Sequence, residues 1–303
     1  MVGPTASGKS ALALRLARER SGEVVSCDSL QVYRGLDIGS AKATPQERSA
    51  VPHHLIDVVD PGETFSAADY ARLARAALEG IRSRGRLPIV AGGTGLYLRA
   101  LLQGLFAGPP RDTALRERLE SMADRFGDPR LHRLLARVDP EAAARIPPGD
   151  RVRVVRALEV YRATGRPISE GHRQGAEPLR GYRVLVVGLD PGRDELRRAV
   201  EARTRRMLEQ GLVEEVRGLL VRGLGPQLRP LQAIGYRQAL AVATGALSVA
   251  DAERAIVADT LRFAKRQRTW FRHQVASRWF RDPADALLGV RAWLDAGPSP
   301  LSP

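Results

Sequence analysis

A parallel α/β sheet flanked by helices and interrupted by an all-helical insertion is the fold class this sequence predicts. Three observations predict it. GPTASGKS, Gly3 to Ser10, fits the phosphate-loop pattern G-x-x-x-x-G-K-[ST] without a mismatch. Short buried strands alternate with amphipathic helices around it, as in sheets whose strands run parallel. Residues 110–180, by contrast, carry helical spacing and no strand signal.

The elements follow in order. Only Met1 and Val2 precede Gly3, so the strand that ordinarily feeds such a loop is either very short or begins upstream of Met1. Helical spacing runs from Lys9 to about Arg20. EVVSCD, Glu23 to Asp28, reads as a short buried strand delivering Asp28 at its carboxyl end. A weaker strand signal lies at LIDVV, Leu55 to Val59. Ser66 and Asp69 form an S-x-x-D capping pattern ahead of a helix that Gly85 stops. LPIVA, Leu87 to Ala91, is another buried strand, and GGTG follows it directly. After Pro109-Pro110 come helices over 113–126, 129–145 and 151–164. Strand character returns at YRVLVVGLD, Tyr182 to Asp190, then helices near 193–222, 230–243 and 249–275, the last introduced by Ser248 and Asp251. GPSPLSP, residues 297–303, reads as a frayed tail. The expected division is a phosphate-loop core, residues 1–109 and 181–303, and a helical insertion, residues 110–180.

Composition narrows the function. Cys27 is the only cysteine, which excludes an internal disulfide or a cysteine-based zinc site. No leader pattern and no apolar run near the ~20 residues of a membrane helix is visible, so a cytoplasmic enzyme is expected. The five histidines, His53, His54, His132, His172 and His273, show no metal-ligand spacing. The 48 basic and 34 acidic residues leave a net charge of +14, and most of the excess lies beyond residue 108. Such a balance suits a polyanionic partner; arginine-rich codon usage that merely solubilises the chain is the competing explanation. Lysine survives only at Lys9, Lys42 and Lys265. Where arginine has taken almost every other basic position, a retained lysine suggests a site that needs a compact ammonium.

In the loop, glycines turn backbone amides toward phosphate oxygens, the following helix adds positive potential, Lys9 neutralises charge and the Ser10 hydroxyl can ligate Mg²⁺. Asp28 ends a strand at the edge where open α/β sheets bind ligands; it is either a general base or a carboxylate holding a magnesium-bound water. Thr94, in GGTG, enters the same crevice, where a nucleoside triphosphatase would more often place an aspartate. Arg203, Arg205 and Arg206 share one helix, and any of them could supply a further positive charge. LRFAKRQRTWFRH, Leu261 to His273, and DRVRVVRALEVYRATGR, Asp150 to Arg166, interleave cations with apolar residues and suit an extended phosphate backbone.

Taken in order, GPTASGKS, SCDSLQVYRGLDIGSAK, PHHLIDVVDPGETFSAADY, VAGGTGLYLRALLQGL, RALEVYRATG, IGYRQ and AKRQRTWFR resemble the tRNA dimethylallyltransferases, or tRNA isopentenyltransferases, over nearly the whole chain. The resemblance implies a P-loop kinase-like fold with a helical insertion domain. It implies transfer of a dimethylallyl group from dimethylallyl diphosphate to N6 of the adenine 3'-adjacent to the anticodon of tRNA. By the same resemblance, Asp28, Thr94, Lys9 and Arg203 are catalytic, and Gly3, Pro4, Thr5, Ala6, Ser7, Gly8, Lys9 and Ser10 hold the diphosphate, Ser10 with Mg²⁺. Contacts to tRNA fall on Asp28, Ser29, Leu30, Gln31, Thr94, Arg116, Val152, Arg153, Val154, Val155, Arg156, Gln232, Ala233, Ile234, Gly235, Tyr236 and Arg237. A monomer with no membrane partner is expected. Rival readings are an adenylate isopentenyltransferase acting on free nucleotide, a small-molecule kinase, and a nucleic-acid-binding module with a vestigial loop.

Overall fold

The computed structural model describes residues 1–106, 108–174 and 177–297; beyond Gly297, the tail expected over 297–303 lies outside them. The chain divides into two compact units, one formed by Met1–Leu101 together with the chain from Arg180 onward, the other by Leu102–Leu179. The helical unit starts ahead of the Pro109-Pro110 break. Its neck is drawn together where the Leu179 amide donates to the Leu102 carbonyl at 2.9 Å.

In the first unit, helix α1 (Lys9–Glu19) leads to strand β1 (Gly22–Ser26), whose five residues are all buried. Helix α2 (Pro45–Ala50) precedes β2 (His53–His54). The expected strand at 55–59 does not form. Leu55 and Asp57 have φ of 61° and 58°, which turns the chain out of extended geometry, and Val59 keeps only an isolated bridge to Tyr33. Helix α3 (Ala67–Ser83) begins in the anticipated capping box, with Ser66 and Asp69 each bonded to the other's backbone. Strand β3 (Leu87–Ala91) follows and pairs in parallel with β1 along its whole length, and β2 pairs with the other edge of β1. Helix α4 (Gly95–Gln103) leaves from the carboxyl end of β3.

Beyond residue 180, the strand expected over 182–190 contracts to β4 (Val187–Leu189). The strand ahead of the phosphate loop contracts further, to a bridge between Val2 and Gly188. Val2 donates to Val187 at 2.8 Å, accepts from Leu189 at 3.0 Å, and Gly92 donates to Met1 at 3.2 Å. The spatial order is therefore β2-β1-β3-Val2-β4, all parallel, and the loop emerges from the middle of the sheet. The single helix expected over 193–222 is two, α10 (Arg193–Glu209) and α11 (Leu212–Val221), because Gly211 takes φ 95° between them. A 3₁₀ turn (Arg229–Gln232) and α12 (Tyr236–Ala243) replace the helix expected over 230–243; Gly235 at φ 93° separates them. Helix α13 (Val249–Gln274) starts where Ser248 accepts from the Asp251 amide. Two elements fall outside those expected from sequence: β5 (Arg278–Phe280), parallel to β4, and α14 (Pro283–Asp295), which Asp282 caps and Pro283 opens. Leu12 and Leu16 of α1, Val24 and Ile89 of the sheet, and Leu287 and Val290 of α14 share one core. A second core joins Val32 and Leu36, in the segment after β1, to Leu212, Val216, Leu231 and Ile256, so that segment is anchored on the far helices.

The helical unit contains α5 (Thr113–Phe126), α6 (Asp128–Val138), α7 (Pro140–Arg145), α8 (Arg151–Thr164) and α9 (Ile168–Gln174). The helix expected over 129–145 breaks at Asp139-Pro140. Proline has no amide to continue the ladder, and the Asp139 carboxylate caps α7 by accepting from Ala142 at 2.9 Å. Leu119, Leu131, Leu135, Val154 and Val155 make the core.

Within that unit Glu159 is fully buried. It accepts from Arg116 at 2.9 Å through both Nε and a terminal nitrogen, from Arg156 at 2.6 Å and from the Asp112 amide at 2.7 Å. Burial raises its pKa, but these donors outweigh burial and hold it down at about 2. The folded value lies below the ordinary 4.5, so the carboxylate's contribution to stability is complete above about pH 4.5 and is lost as pH falls toward 2. Glu159→Gln leaves two arginines facing a neutral amide and is expected to cost about 3–5 kcal/mol. In urea titrations followed by circular dichroism between pH 7 and pH 2.5, the variant should start less stable and lose less on acidification. Equal acid slopes in the two proteins would contradict this.

Candidate active site

The phosphate loop leaves Val2 with Gly3 at φ 139°, and a Cβ there would stand 2.3 Å from the Leu189 carbonyl oxygen. Only glycine permits that closeness of loop and sheet. Gly8, at φ 86°, opens α1 without a side-chain cap, which leaves the first amides of the helix to an anionic ligand. The Ser7 hydroxyl is buried within the loop and has no hydrogen-bond partner. Lys9 is buried too, its Nζ donating to the Pro4 carbonyl at 3.2 Å. Its pKa falls to about 8, chiefly because burial penalises the charged form and secondly because Arg203 repels it, with Asp28 partly opposing.

Arg203 reaches this loop from α10, its guanidinium donating to Thr5 Oγ1 at 2.9 Å. Burial lowers its pKa, and Asp28 again opposes. Arg205 instead faces Glu253 at 3.7 Å, and Arg206 is exposed. Of Arg203, Arg205 and Arg206, Arg203 is therefore the one that joins the site.

Asp28 lies just past β1, and its Oδ1 accepts from the Leu30 amide at 2.8 Å. Thr94 is pinned beside it. Its Oγ1 accepts from the Ser29 amide at 3.0 Å, and its own amide donates to the Cys27 carbonyl at 3.1 Å. Gly92 makes the approach possible, since a Cβ there would stand 2.1 Å from Cys27 O. Asp28 opposes the burial penalty at both Lys9 and Arg203, the direction expected of a carboxylate near two cations.

Sequence reasoning missed Gln267. From α13 its Oε1 accepts from the Thr5 amide at 2.8 Å, and its Nε2 donates to the Gly93 carbonyl at 2.8 Å. Its spacing from Ala264 and Phe271, both buried, marks it as a polar residue on the inward face of an otherwise basic helix. That was the available signal.

The residues expected to meet tRNA divide by exposure. Ser29 is exposed, whereas the Gln31 amide is used inside the loop, accepting from Ser26 Oγ at 2.8 Å and donating to the carbonyls of Ser40 and Ala41. Val152 and Arg153 are open to solvent, but Val154 and Val155 are 1% exposed, so their side chains belong to the helical core and not to a surface. Arg116 and Arg156 are committed to Glu159, and Arg151 to Asp124 and Asp128. The basic face expected on α8 is thus partly neutralised from within. Gln232 and Arg237 are exposed, Arg237 pairing with Asp259, and Ala233 and Ile234 are half-buried beside the buried Gly235. Tyr236 is fully buried and donates to Glu215 at 2.7 Å. Glu215 also accepts from the Asp37 and Ile38 amides at 3.0 and 2.8 Å, so Tyr236 buttresses the segment after β1 and offers no side chain to RNA. Cations concentrate instead between α10 and α13, around two cavities of ≈ 340 and ≈ 500 Å³ that share Arg193 and Arg268. Arg272 and Arg281 line the first, Arg197 and Lys265 the second, and Asp190 pairs with Arg268 and Arg272.

Comparison with known proteins agrees with this geometry. The IPP transferase family model matches residues 31–274. Over 283 residues the chain is 50% identical to tRNA dimethylallyltransferase 2 of Geotalea uraniireducens, covering 93% of this chain and 91% of that protein. It is 51% identical over 293 residues to the tRNA dimethylallyltransferase of Geobacter metallireducens, covering 95% and 94%. The crystal structure of the tRNA isopentenylpyrophosphate transferase of Bacillus halodurans superposes with a TM-score of 0.70 at 38% identity, over 97% of this chain and 94% of that one. A eukaryotic dimethylallyltransferase acting on tRNA gives 0.78 at 26% identity, over 98% and 79%. With the family model spanning most of its length and relatives at half identity over nearly all of it, the chain belongs to the IPP transferase family.

Proposed function

We propose that this protein transfers the dimethylallyl group of dimethylallyl diphosphate to the exocyclic N6 of the adenine 3'-adjacent to the anticodon of tRNA. The observation that carries the reading is the run of contacts joining the two ends of the site, Arg203 bonded to Thr5 of the phosphate loop, Gln267 bridging Thr5 to Gly93, and Thr94 bonded to the Ser29 amide next to Asp28: a proton acceptor shares one site with cations suited to a leaving diphosphate. An allylic diphosphate ionises readily once its departing charge is neutralised, which the loop amides, Lys9 and Arg203 supply. As the bond between C1 and the diphosphate oxygen breaks, N6 bonds to C1 and gives up a proton to the Asp28 carboxylate. Adenine N6 is a poor nucleophile because its lone pair is delocalised into the ring, so alignment matters, and Thr94 is placed to hold the amine in line. The base must leave the anticodon-loop stack to enter.

Ser10 is exposed at the start of α1, and among the described residues no cluster of His, Cys, Asp or Glu could hold a metal alone. These donors fit Mg²⁺ bound mainly through phosphate oxygens and water with the Ser10 hydroxyl added, where it would offset charge on the departing diphosphate. The arginine-lined cavities of α10 and α13 support a substrate with an extended phosphate backbone, which a mononucleotide does not need. We place the reaction in the cytoplasm; among the described residues no helix is long and apolar enough to cross a membrane. We further propose that the protein works as a monomer.

Incubating the protein with unmodified tRNA, AMP and labelled dimethylallyl diphosphate is expected to label tRNA alone. Label on AMP would select the nucleotide-modifying alternative, and no transfer with ATP consumption a kinase. Asp28→Ala should lower turnover by roughly 10² or more with little change in tRNA affinity; near-normal turnover would remove Asp28 from the proton-accepting role. Affinity for tRNA should fall at least roughly tenfold between about 50 and about 200 mM salt, and a flat response would detach the basic cavities from the reading.

The Lys9 shift gives a pH test. Its folded pKa near 8 lies within an accessible range, and only the protonated form attracts diphosphate. Calorimetric pyrophosphate affinity of the wild type, measured relative to Lys9→Arg, should therefore fall as pH rises through about 8. A ratio constant from pH 6.5 to 9.5 would contradict this.

A further inference from the structure

Gln267 is buried at 7% exposure on a helix face it shares with Ala264 and Phe271, which are 0% and 1% exposed. A neutral amide on such a face costs stability unless both of its ends are bonded, and both are. The chemistry of the two partners is opposite. Thr5 offers an N–H and Gly93 a carbonyl oxygen, so the bridging side chain must present an acceptor to one and a donor to the other. Of the common side chains near this length, glutamate would set an acceptor against Gly93 O and lysine or arginine a donor against the Thr5 N–H. The fit is also tight, because a Cβ on Gly93 would stand 2.3 Å from Gln267 Nε2.

The two loops that Gln267 joins are the two halves of the reaction. Thr5 belongs to the phosphate loop and receives the Arg203 guanidinium on its hydroxyl. Gly93 precedes Thr94, which is bonded to the Ser29 amide next to Asp28. A continuous path therefore runs from the leaving-group cation through Thr5, Gln267, Gly93 and Thr94 to the proton acceptor. We infer that Gln267 is a positioning residue that fixes the separation and angle between the diphosphate cradle and the amine-holding loop, and so decides whether the ionising allyl group meets adenine N6 or water. This rests on the transfer reaction proposed above. Misalignment opens a balanced side reaction: the C1–O bond to diphosphate breaks, a water oxygen bonds to C1, and a proton passes to solvent, giving dimethylallyl alcohol.

The test uses the full chain as Gln267→Met, which keeps length and bulk but bonds to neither loop, and as Gln267→Glu. Thermal melts, pyrophosphate affinity, single-turnover transfer to tRNA and alcohol release are measured together. For Gln267→Met we expect a cooperative melt, pyrophosphate affinity within about threefold of wild type, transfer slower by roughly thirtyfold or more, and a larger alcohol share of the diphosphate consumed. Gln267→Glu should show the same partition and weaker pyrophosphate binding, since it adds a negative charge beside Thr5. Transfer at the wild-type rate in a folded variant would overturn the inference. So would transfer and pyrophosphate affinity falling in equal proportion with no added alcohol, which would make Gln267 part of ligand binding alone. Should Gln267→Met fail to fold, Gly93→Ala displaces the Nε2 contact from the other side and is read by the same partition. A wild-type protein that modifies no tRNA would instead defeat the reaction itself, and this inference with it.

Discussion

Burying the Lys9 ammonium within reach of the Arg203 guanidinium is the constraint on which the rest of this architecture turns. Desolvation and like charge both act against the pair, and Lys9 answers with a pKa near 8. A fold that places such groups together must stabilise the arrangement elsewhere, and the surrounding structure does so. The loop carrying Lys9 is held on one side by the sheet through Gly3 and on the other by Gln267 and Arg203 at Thr5. The cations are thereby preorganised, so their attraction for an incoming polyanion is not spent on ordering the loop.

The same economy governs the segment after β1. It crosses from the sheet to the far helices, and its far end is fixed by groups that do no chemistry. Glu215 gathers the Asp37 and Ile38 amides and the Tyr236 hydroxyl, while Lys42 donates at 2.6 Å to Tyr33 O, Asp37 Oδ1 and Asp57 Oδ1 with a side chain only 2% exposed. Anchored there, and tied next to β1 by the bonds of Thr94 to the Ser29 amide and the Cys27 carbonyl, the segment presents Asp28 and Ser29 beside Thr94. Such anchoring is consistent with a weak nucleophile that must be held in line for attack.

Local signals made much of this legible in the sequence. The phosphate loop, the buried β1 and β3, the capping box that starts α3 and the Ser248 cap that starts α13 are each specified within a few neighbouring residues, and each formed close to where it was expected. What was not legible depends on distant partners or on single backbone angles. Strand β5 is three residues long and exists because β4 pairs with it. Leu55 and Asp57 turn to positive φ inside a run whose composition reads as strand. Gln267 could be read as inward-facing, but its partners lie 262 and 174 positions away. The resemblance likewise named Arg116 and Arg156 as contacts to tRNA, and nothing local in the sequence reveals the buried Glu159 carboxylate that both of them bond.

The three lysines show how far residue choice can be pushed as a structural argument. In a chain that otherwise uses arginine, each retained lysine suggested a place where a planar guanidinium fails. Lys9 conforms, in a loop where a compact charge is needed. Lys42 conforms for a different reason: three oxygens converge on one nitrogen at 2.6 Å in a nearly closed space, a geometry that matches an ammonium's three donors and not a flat fork. Its role is to anchor the acceptor-side segment and not to meet phosphate. Lys265 is exposed and lines the cavity between α10 and α13 together with Arg193, Arg197, Arg262 and Arg268, and no comparable steric demand surrounds it. Lysine scarcity therefore located two crowded sites and one open one and said nothing of their purpose; what distinguishes the crowded two is what else converges on each nitrogen, the phosphate loop's own Pro4 carbonyl around Lys9 and a clamp of three oxygens around Lys42.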